Sequence, residues 1–429
     1  MKTIEVPALA RVEGEGGLYI GLENGQAVEI HLDIYEPPRF FEGFLHGRFL
    51  QEVPDITARI CGICPVAYQM SSAYALENAL GIKISTQVRA LRRLMYCGEF
   101  IESHALHIYM LQAPDLLGKQ SALELAVVAP DVVRNALRLK KIGNEILKAI
   151  GGRSVHPVNV CVGGFYSWPD STTLKALLPD LEWGLSAAIE SVKWAVMLPF
   201  PDLEINYEFV ALHHPDEYAV IEGDVWSSKG RKLTISEYEY GYIEEHVKHS
   251  NALHSHTVDG NTYLVGPLAR LNLNHEQLLP AAQKALKASK IKLPLKNPYK
   301  SLIARAIELV QFYEEAIQLV KTYKPEGPAH VELKLKAGEG AGATEAPRGL
   351  LYHRYKIDEN GLVLFAKITP PTAQNLPRIE ADLFALAPMI VKMPQEEATI
   401  TAEHLVRAYD PCISCATHFL KLKMEERKE

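Results

Sequence analysis

Arg59-Ile60-Cys61-Gly62-Ile63-Cys64-Pro65 sets two cysteines three positions apart, just ahead of a stretch, Val66 to Leu80, with helical periodicity. Both thiols therefore fall at a helix start, where the dipole and free backbone N–H groups favour thiolate. A second pair lies near the other end, in Asp410-Pro411-Cys412-Ile413-Ser414-Cys415, with His418 following. Thiolates of this kind are soft ligands that suit zinc, iron-sulfur clusters or nickel. A local zinc ribbon separates its pairs by about 15 to 20 residues, whereas here nearly the whole chain intervenes. Joining the pairs requires a fold that brings both ends of the chain to one place.

The residues alone leave several uses for these cysteines. A structural site of four cysteines around zinc is one. A thioredoxin-like dithiol is another, but neither pair has the βαβ setting it needs. Cys97 and Cys161 are isolated in apolar surroundings and read as core residues.

Between the pairs the chain reads as mainly helical. It opens with a hairpin: Leu18, Ile20 and Leu22 alternate, Asn24-Gly25 supplies a turn, and Val28, Ile30, Leu32 and Ile34 alternate again. A second Asn-Gly, Asn360-Gly361, precedes a strand-like run from Leu362 to Ile368. Helices are predicted after Ser85, from near Asp131 to Gly151-Gly152, over Leu181 to Met197 and over Ser301 to Tyr323. Tyr207 to Gly266 mixes short strands with polar turns, and Ala337 to Ala343 reads as a Gly/Ala loop. With no linker or repeat evident, the expectation is one α+β domain, a long-helix bundle with small peripheral β-sheets.

The composition is globular, with 48% hydrophobic and 23% charged residues over 429 positions, and a formal charge of -7 offers no basic field for nucleic acid. No apolar run approaches the roughly 20 residues that span a bilayer. The start, MKTIEVPALARVEGEG, has neither a secretory h-region nor an Arg-rich transit pattern, so a cytoplasmic chain is expected.

Arg-Ile-Cys-Gly-Ile-Cys early and Asp-Pro-Cys-x-x-Cys-x-x-His late resemble the paired signatures of nickel-iron hydrogenase large subunits. The likeness continues through Arg11-Val12-Glu13-Gly14, Arg39-Phe40-Phe41-Glu42, Ser103-His104-x-x-His107, His156-Pro157, Val265-Gly266-Pro267, Glu345-Ala346-Pro347-Arg348-Gly349 and Pro371-Thr372-x-x-Asn375, and so covers essentially the whole chain. Tyr68, where many members have His, and Glu15, where many have His after the Glu-Gly pair, resemble the cytosolic NAD(P)-linked or sulfhydrogenase alpha class. Two other readings remain beside it. A quinone-module subunit of respiratory complex I shares the fold but lacks the four cysteines, and a zinc-stabilised interaction protein would use them structurally.

The resemblance implies reversible heterolysis of hydrogen, H2, into a hydride and a proton. It makes Cys61 and Cys412 terminal nickel ligands, with Cys64 and Cys415 bridging nickel to an iron that carries carbon monoxide and two cyanides. Arg348, Pro347 and Thr372 match the residues around those diatomics, and Asp410 would fix the Arg348 guanidinium. Glu42 and His418, with the Ile368 carbonyl, match the ligands of a magnesium ion. Cys412 or Arg348 would take the proton, and Glu13 would carry it outward. Implied partners are an iron-sulfur small subunit, a flavin and NAD(P)-binding subunit with further iron-sulfur subunits, and a protease that removes residues 419–429 to leave a domain of 1–418. Outside the motifs, His246, His249, His254 and His256 are spaced like ligands, but a polar, partly exposed surface accounts for them. His104 and His107 read as supporting or core groups.

Overall fold

The computed structural model describes residues 2–23 and 26–417. At the N-terminus β1 (Lys2–Val6), β2 (Gly16–Glu23) and β3 (Gln26–Ile34) form an antiparallel sheet in that order, with Leu18 opposite Leu32 and Ile20 opposite Ile30. The two predicted alternating runs thus pair as expected, while their Asn24-Gly25 turn lies outside the described residues. β1 was not anticipated, because Ile4 and Val6 make too short an alternation to stand out before a partner strand covers them.

The bundle follows. It comprises α1 (Pro65–Leu80), α2 (Thr86–Leu106), α3 (Pro130–Gly151), α4 (Leu178–Ala195) and, after the short strands β4 (Tyr242–His246) and β5 (Leu253–Thr257), α5 (Ser301–Thr322). Ser85 caps α2 by accepting the Val88 N–H, and α3 ends at Gly152 with φ 78°, the left-handed stop that glycine adopts at low cost. α1 is buried on nearly all sides, so its polar residues have partners: Glu77 takes both ends of the Arg92 guanidinium at 2.9 and 2.6 Å, and Ser71 meets Thr344 at 2.7 Å. α2 lies between α3 and α5 and passes at its C-terminal end into a π-helical turn, His107–Gln112.

The remaining elements return the chain to the cysteines. β6 (Gly338–Ala346), β7 (Gly349–Ile357) and β8 (Val363–Thr369) form an antiparallel sheet, followed by α6 (Pro371–Ile390) and α7 (Gln395–Ala408). The Gly/Ala stretch read as a loop is therefore a strand over most of its length, and its glycines serve a packing role. β6 lies on α1 so closely that a Cβ on Gly340 would stand 2.3 Å from the Ala75 carbonyl oxygen, and one on Gly342 would stand 2.6 Å from the Ala75 nitrogen. Only bare backbone fits there. This contact fixes the strand leading to Arg348 against the helix that begins after Cys64.

Gly340→Val is accordingly expected to destabilise the chain by about 1–3 kcal/mol through overpacking. It should lower the midpoint of thermal unfolding and the nickel content together. An unchanged midpoint would mean that β6 does not lie against α1.

Candidate metal centre

Cys61 follows a single 3-10 turn in extended conformation, and Cys64 immediately precedes Pro65, the first residue of α1, where a missing N–H costs nothing. Cys412 starts the short helix Ile413–Ala416 that carries Cys415. The two motifs meet at one buried point. Cys61 Sγ lies 3.5 Å from Cys412 Sγ, Cys64 Sγ 3.9 Å from Cys415 Sγ, and Cys412 Sγ 2.8 Å from Cys415 Sγ, with all four sulfurs within 4.8 Å of one another. Arg39 fastens the motifs together by donating to the carbonyls of Ile60 and Ser414.

The start of α1 does not serve the thiolates as its position before Val66 suggests. The first free N–H groups of α1, those of Val66 and Ala67, donate to buried Glu99 of α2 at 2.6 and 3.1 Å, so a carboxyl group occupies the helix N-terminus. Cys61 receives N–H groups from its own turn instead, those of Ile63 and Cys64, both at 3.3 Å. Hydrogen bonds from Cys412, Cys415 and Cys64 hold the Cys61 thiol well below its usual value. Burial, followed by the same sulfur contacts, pushes Cys412 well up. Four thiolates so close in a buried site repel one another unless a cation binds them, which is the setting in which coordinated thiols lose their protons.

The groups around the sulfurs converge from distant segments. Glu13 pairs with Cys412 in an isolated parallel bridge; its carbonyl accepts the Ile413 N–H at 2.9 Å, and its Oε2 accepts Cys412 Sγ–H at 3.0 Å and the Ser414 N–H at 3.1 Å. Thr372, in the first turn of α6, accepts the Cys412 N–H at 3.0 Å. Arg348 donates from Nε to the Asp410 carbonyl at 2.8 Å and from one terminal nitrogen to Asp410 Oδ1 at 2.9 Å, while its other terminal nitrogen is buried with no hydrogen-bond partner among the described residues. Burial alone would lower the Arg348 pKa, but Asp410 and the Cys412, Cys64 and Cys61 sulfurs outweigh it and keep the guanidinium charged. Asp410 itself takes φ 56°, a left-handed bend just before Cys412.

Glu42 is half-buried and accepts the Ile368 N–H at 2.8 Å, which sets carboxylate and Ile368 backbone side by side. His418, named with them, lies outside the described residues. Tyr68 is buried beside Cys415, edge-on to His353 at 5.7 Å between ring centroids. His104 pairs with Glu308 at 2.6 Å, and His107 meets the Arg407 carbonyl at 2.8 Å. Both are buried, and neither belongs to the four-sulfur ligand group.

A family model for nickel-dependent hydrogenases matches residues 39–135 and 225–418. The chain belongs to that family. This hydrogenase chain is 35% identical to sulfhydrogenase 1 subunit alpha of Pyrococcus furiosus over 98% of both chains, and 36% identical to sulfhydrogenase 2 subunit alpha of the same organism over 98% of this chain and 100% of the relative. A solved NAD+-reducing [NiFe]-hydrogenase in its H2-reduced state shares the fold with a TM-score of 0.88 at 26% identity, covering 97% of this chain and 100% of the other. The fold is thus that of the nickel-iron large subunit, with an α+β build, and the enzyme is an oxidoreductase with a nickel and iron centre. The readings as a complex I-like subunit or a zinc-stabilised interaction protein fall away. No helix among the described residues is long and apolar enough to cross a membrane.

Several residues of the site's frame escaped the sequence reading. Arg270 is fully buried, binds Glu308 at 2.7 and 2.8 Å and Glu345 at 3.0 Å, and donates to the Ala346 and Pro347 carbonyls at 2.9 Å each, so it holds the segment entering Arg348. Gly266 has φ 106° and lies so near that segment that its Cβ would stand 2.6 Å from the Arg348 carbonyl oxygen. Val265-Gly266-Pro267 was legible as a motif, and the nearby arginine could have been suspected from it.

Proposed function

We propose that this chain is the catalytic large subunit of an NAD(P)-linked nickel-iron hydrogenase, with Cys61 and Cys412 as terminal nickel ligands and Cys64 and Cys415 bridging nickel to iron. The observation that carries this reading is the meeting of four buried sulfurs from the two ends of the chain beside Glu13 and Arg348. A bound nickel-iron pair supplies the Lewis acidity that polarises hydrogen for heterolysis.

The chain's own groups handle the proton and the charge. The Cys412 thiolate takes the proton, and the 3.0 Å contact from its sulfur to Glu13 Oε2 is the path by which the thiol then gives it to half-buried Glu13, which passes it outward. Arg348 acts as a fixed cation and not as a base, since a guanidinium stays protonated and Asp410 engages it twice. Its unpartnered terminal nitrogen is a donor toward the carbon monoxide and two cyanides proposed for iron, with Pro347 as an apolar wall. The Thr372 oxygen accepts from Cys412, which leaves its hydroxyl hydrogen to give. Glu42, His418 and the Ile368 carbonyl are proposed as magnesium ligands, a reading supported by the adjacency of Glu42 and Ile368.

Electrons must leave through another chain. Of six cysteines, four serve one site, and Cys97 and Cys161 are too few for a four-cysteine cluster. The proposed partners are an iron-sulfur small subunit and a flavin and NAD(P)-binding subunit with further iron-sulfur subunits. Sulfur or polysulfide reduction by the holoenzyme fits the Pyrococcus relatives' name. We also assign the complex to the cytoplasm. Hydrogen-dependent reduction of NADP or NAD by the anaerobically purified complex tests this. Dye reduction without reduction of either nicotinamide would overturn the acceptor, and no hydrogen uptake by nickel-loaded complex would overturn the function.

Residues 1–418 are proposed as one domain, with 419–429 removed by a maturation protease after nickel insertion. The expected intact mass of active enzyme ends the chain at His418. Nickel-loaded, active protein retaining Glu429 would contradict this.

A further inference from the structure

The histidines of the 246–256 segment are not all polar surface: His254 is only 2% exposed, and His249 faces two groups from elsewhere in the chain. His31 of β3, His249 of the turn between β4 and β5, and Glu380 of α6 bring two ring nitrogens and a carboxylate oxygen within 4.8 Å of one another. Glu380 Oε1 accepts from His249 Nε2 at 2.9 Å and from the Leu32 N–H at 2.9 Å. The His31 and His249 rings lie 4.1 Å apart, centroid to centroid. Glu29 engages His31 Nε2 at 2.6 Å, which leaves His31 Nδ1 buried with no hydrogen-bond partner among the described residues. Behind them stands His254, with Nδ1 3.9 Å from Glu380 Oε2 and Nε2 likewise buried without a partner.

Hydrogen bonding alone accounts poorly for this group. Two imidazoles beside one carboxylate, with a buried ring nitrogen left over, form a ligand set for a cation. We propose that His31, His249 and Glu380 form a second metal site for a divalent cation of the zinc class, separate from the four-cysteine centre. Two nitrogens and one oxygen make a set that zinc accepts with water as the fourth ligand. His31 would bind through Nδ1 while Glu29 orients the ring from Nε2, the usual outer carboxylate of a ligating histidine. The three side chains are 28%, 22% and 15% exposed, so the group borders solvent although His31 Nδ1 itself is covered. Occupancy would pin β3 and the β4–β5 turn to α6, the helix whose first turn holds Thr372 against Cys412. The site braces the frame and takes no part in the hydrogen chemistry.

The test uses the intact complex, treated with a chelator under conditions that leave nickel and iron in place, and then titrated with zinc or with cobalt(II) as a visible probe. One zinc per large subunit should bind, with a rise in the thermal midpoint. His249→Ala should weaken zinc binding at least about 10-fold while nickel, iron and hydrogen uptake are kept. His31→Gln, at a half-buried strand position, should do the same and serves if His249→Ala does not fold. Failure of the wild type to take up zinc at micromolar concentration would overturn the site, as would binding undiminished in the folded variants.

Discussion

Replacing any one of Cys61, Cys64, Cys412 or Cys415 with Ser reduces hydrogen uptake to background and leaves the large subunit without nickel. A serine hydroxyl is a harder donor that stays protonated at neutral pH, so it does not replace a thiolate shared among four. The same change at Cys97 or Cys161 leaves uptake intact. Both are buried, and burial pushes each thiol up, Cys161 to about 11, which marks them as inert core groups. Loss of uptake in a folded, nickel-loaded Cys161→Ser protein would assign that sulfur a role it lacks in this account.

Glu13→Gln separates proton transfer from assembly. The amide keeps an oxygen for the Ser414 N–H but no longer takes a proton from Cys412. Nickel, iron and reducibility of the partner clusters by external donors should all survive. Hydrogen oxidation and hydrogen-deuterium exchange with solvent should both fall, by about 10²- to 10⁴-fold if Glu13 is the main acid-base group. Near-normal exchange in the fully metallated variant would show that protons leave by another path and that Glu13 only orders the 412–414 backbone.

The sequence carried the cysteine pairs, the long helices and the residues beside the sulfurs because each lies in a local pattern: a fixed spacing, a helical period or a motif. What it missed is set by packing between distant segments. Glu99 reaches the start of α1 across the bundle, so the free N–H groups inferred from the Cys64-Pro65 junction are already taken. Ala337 to Ala343 look like a loop until α1 is laid against their glycines. Arg270 becomes a support for Arg348 only once Glu308 and Glu345 surround it. His31 and Glu380 are separated by most of the chain, and no local spacing links either to His249.

The central claim is that the four-cysteine centre holds nickel with iron, and metal analysis of the large subunit purified anaerobically, wild type beside Cys415→Ser, tests it most directly. The account predicts nickel and iron in equal amounts in the wild type, with nickel lost in the variant. Stoichiometric zinc at the four cysteines with no nickel, or nickel retained in full by Cys415→Ser, would contradict it.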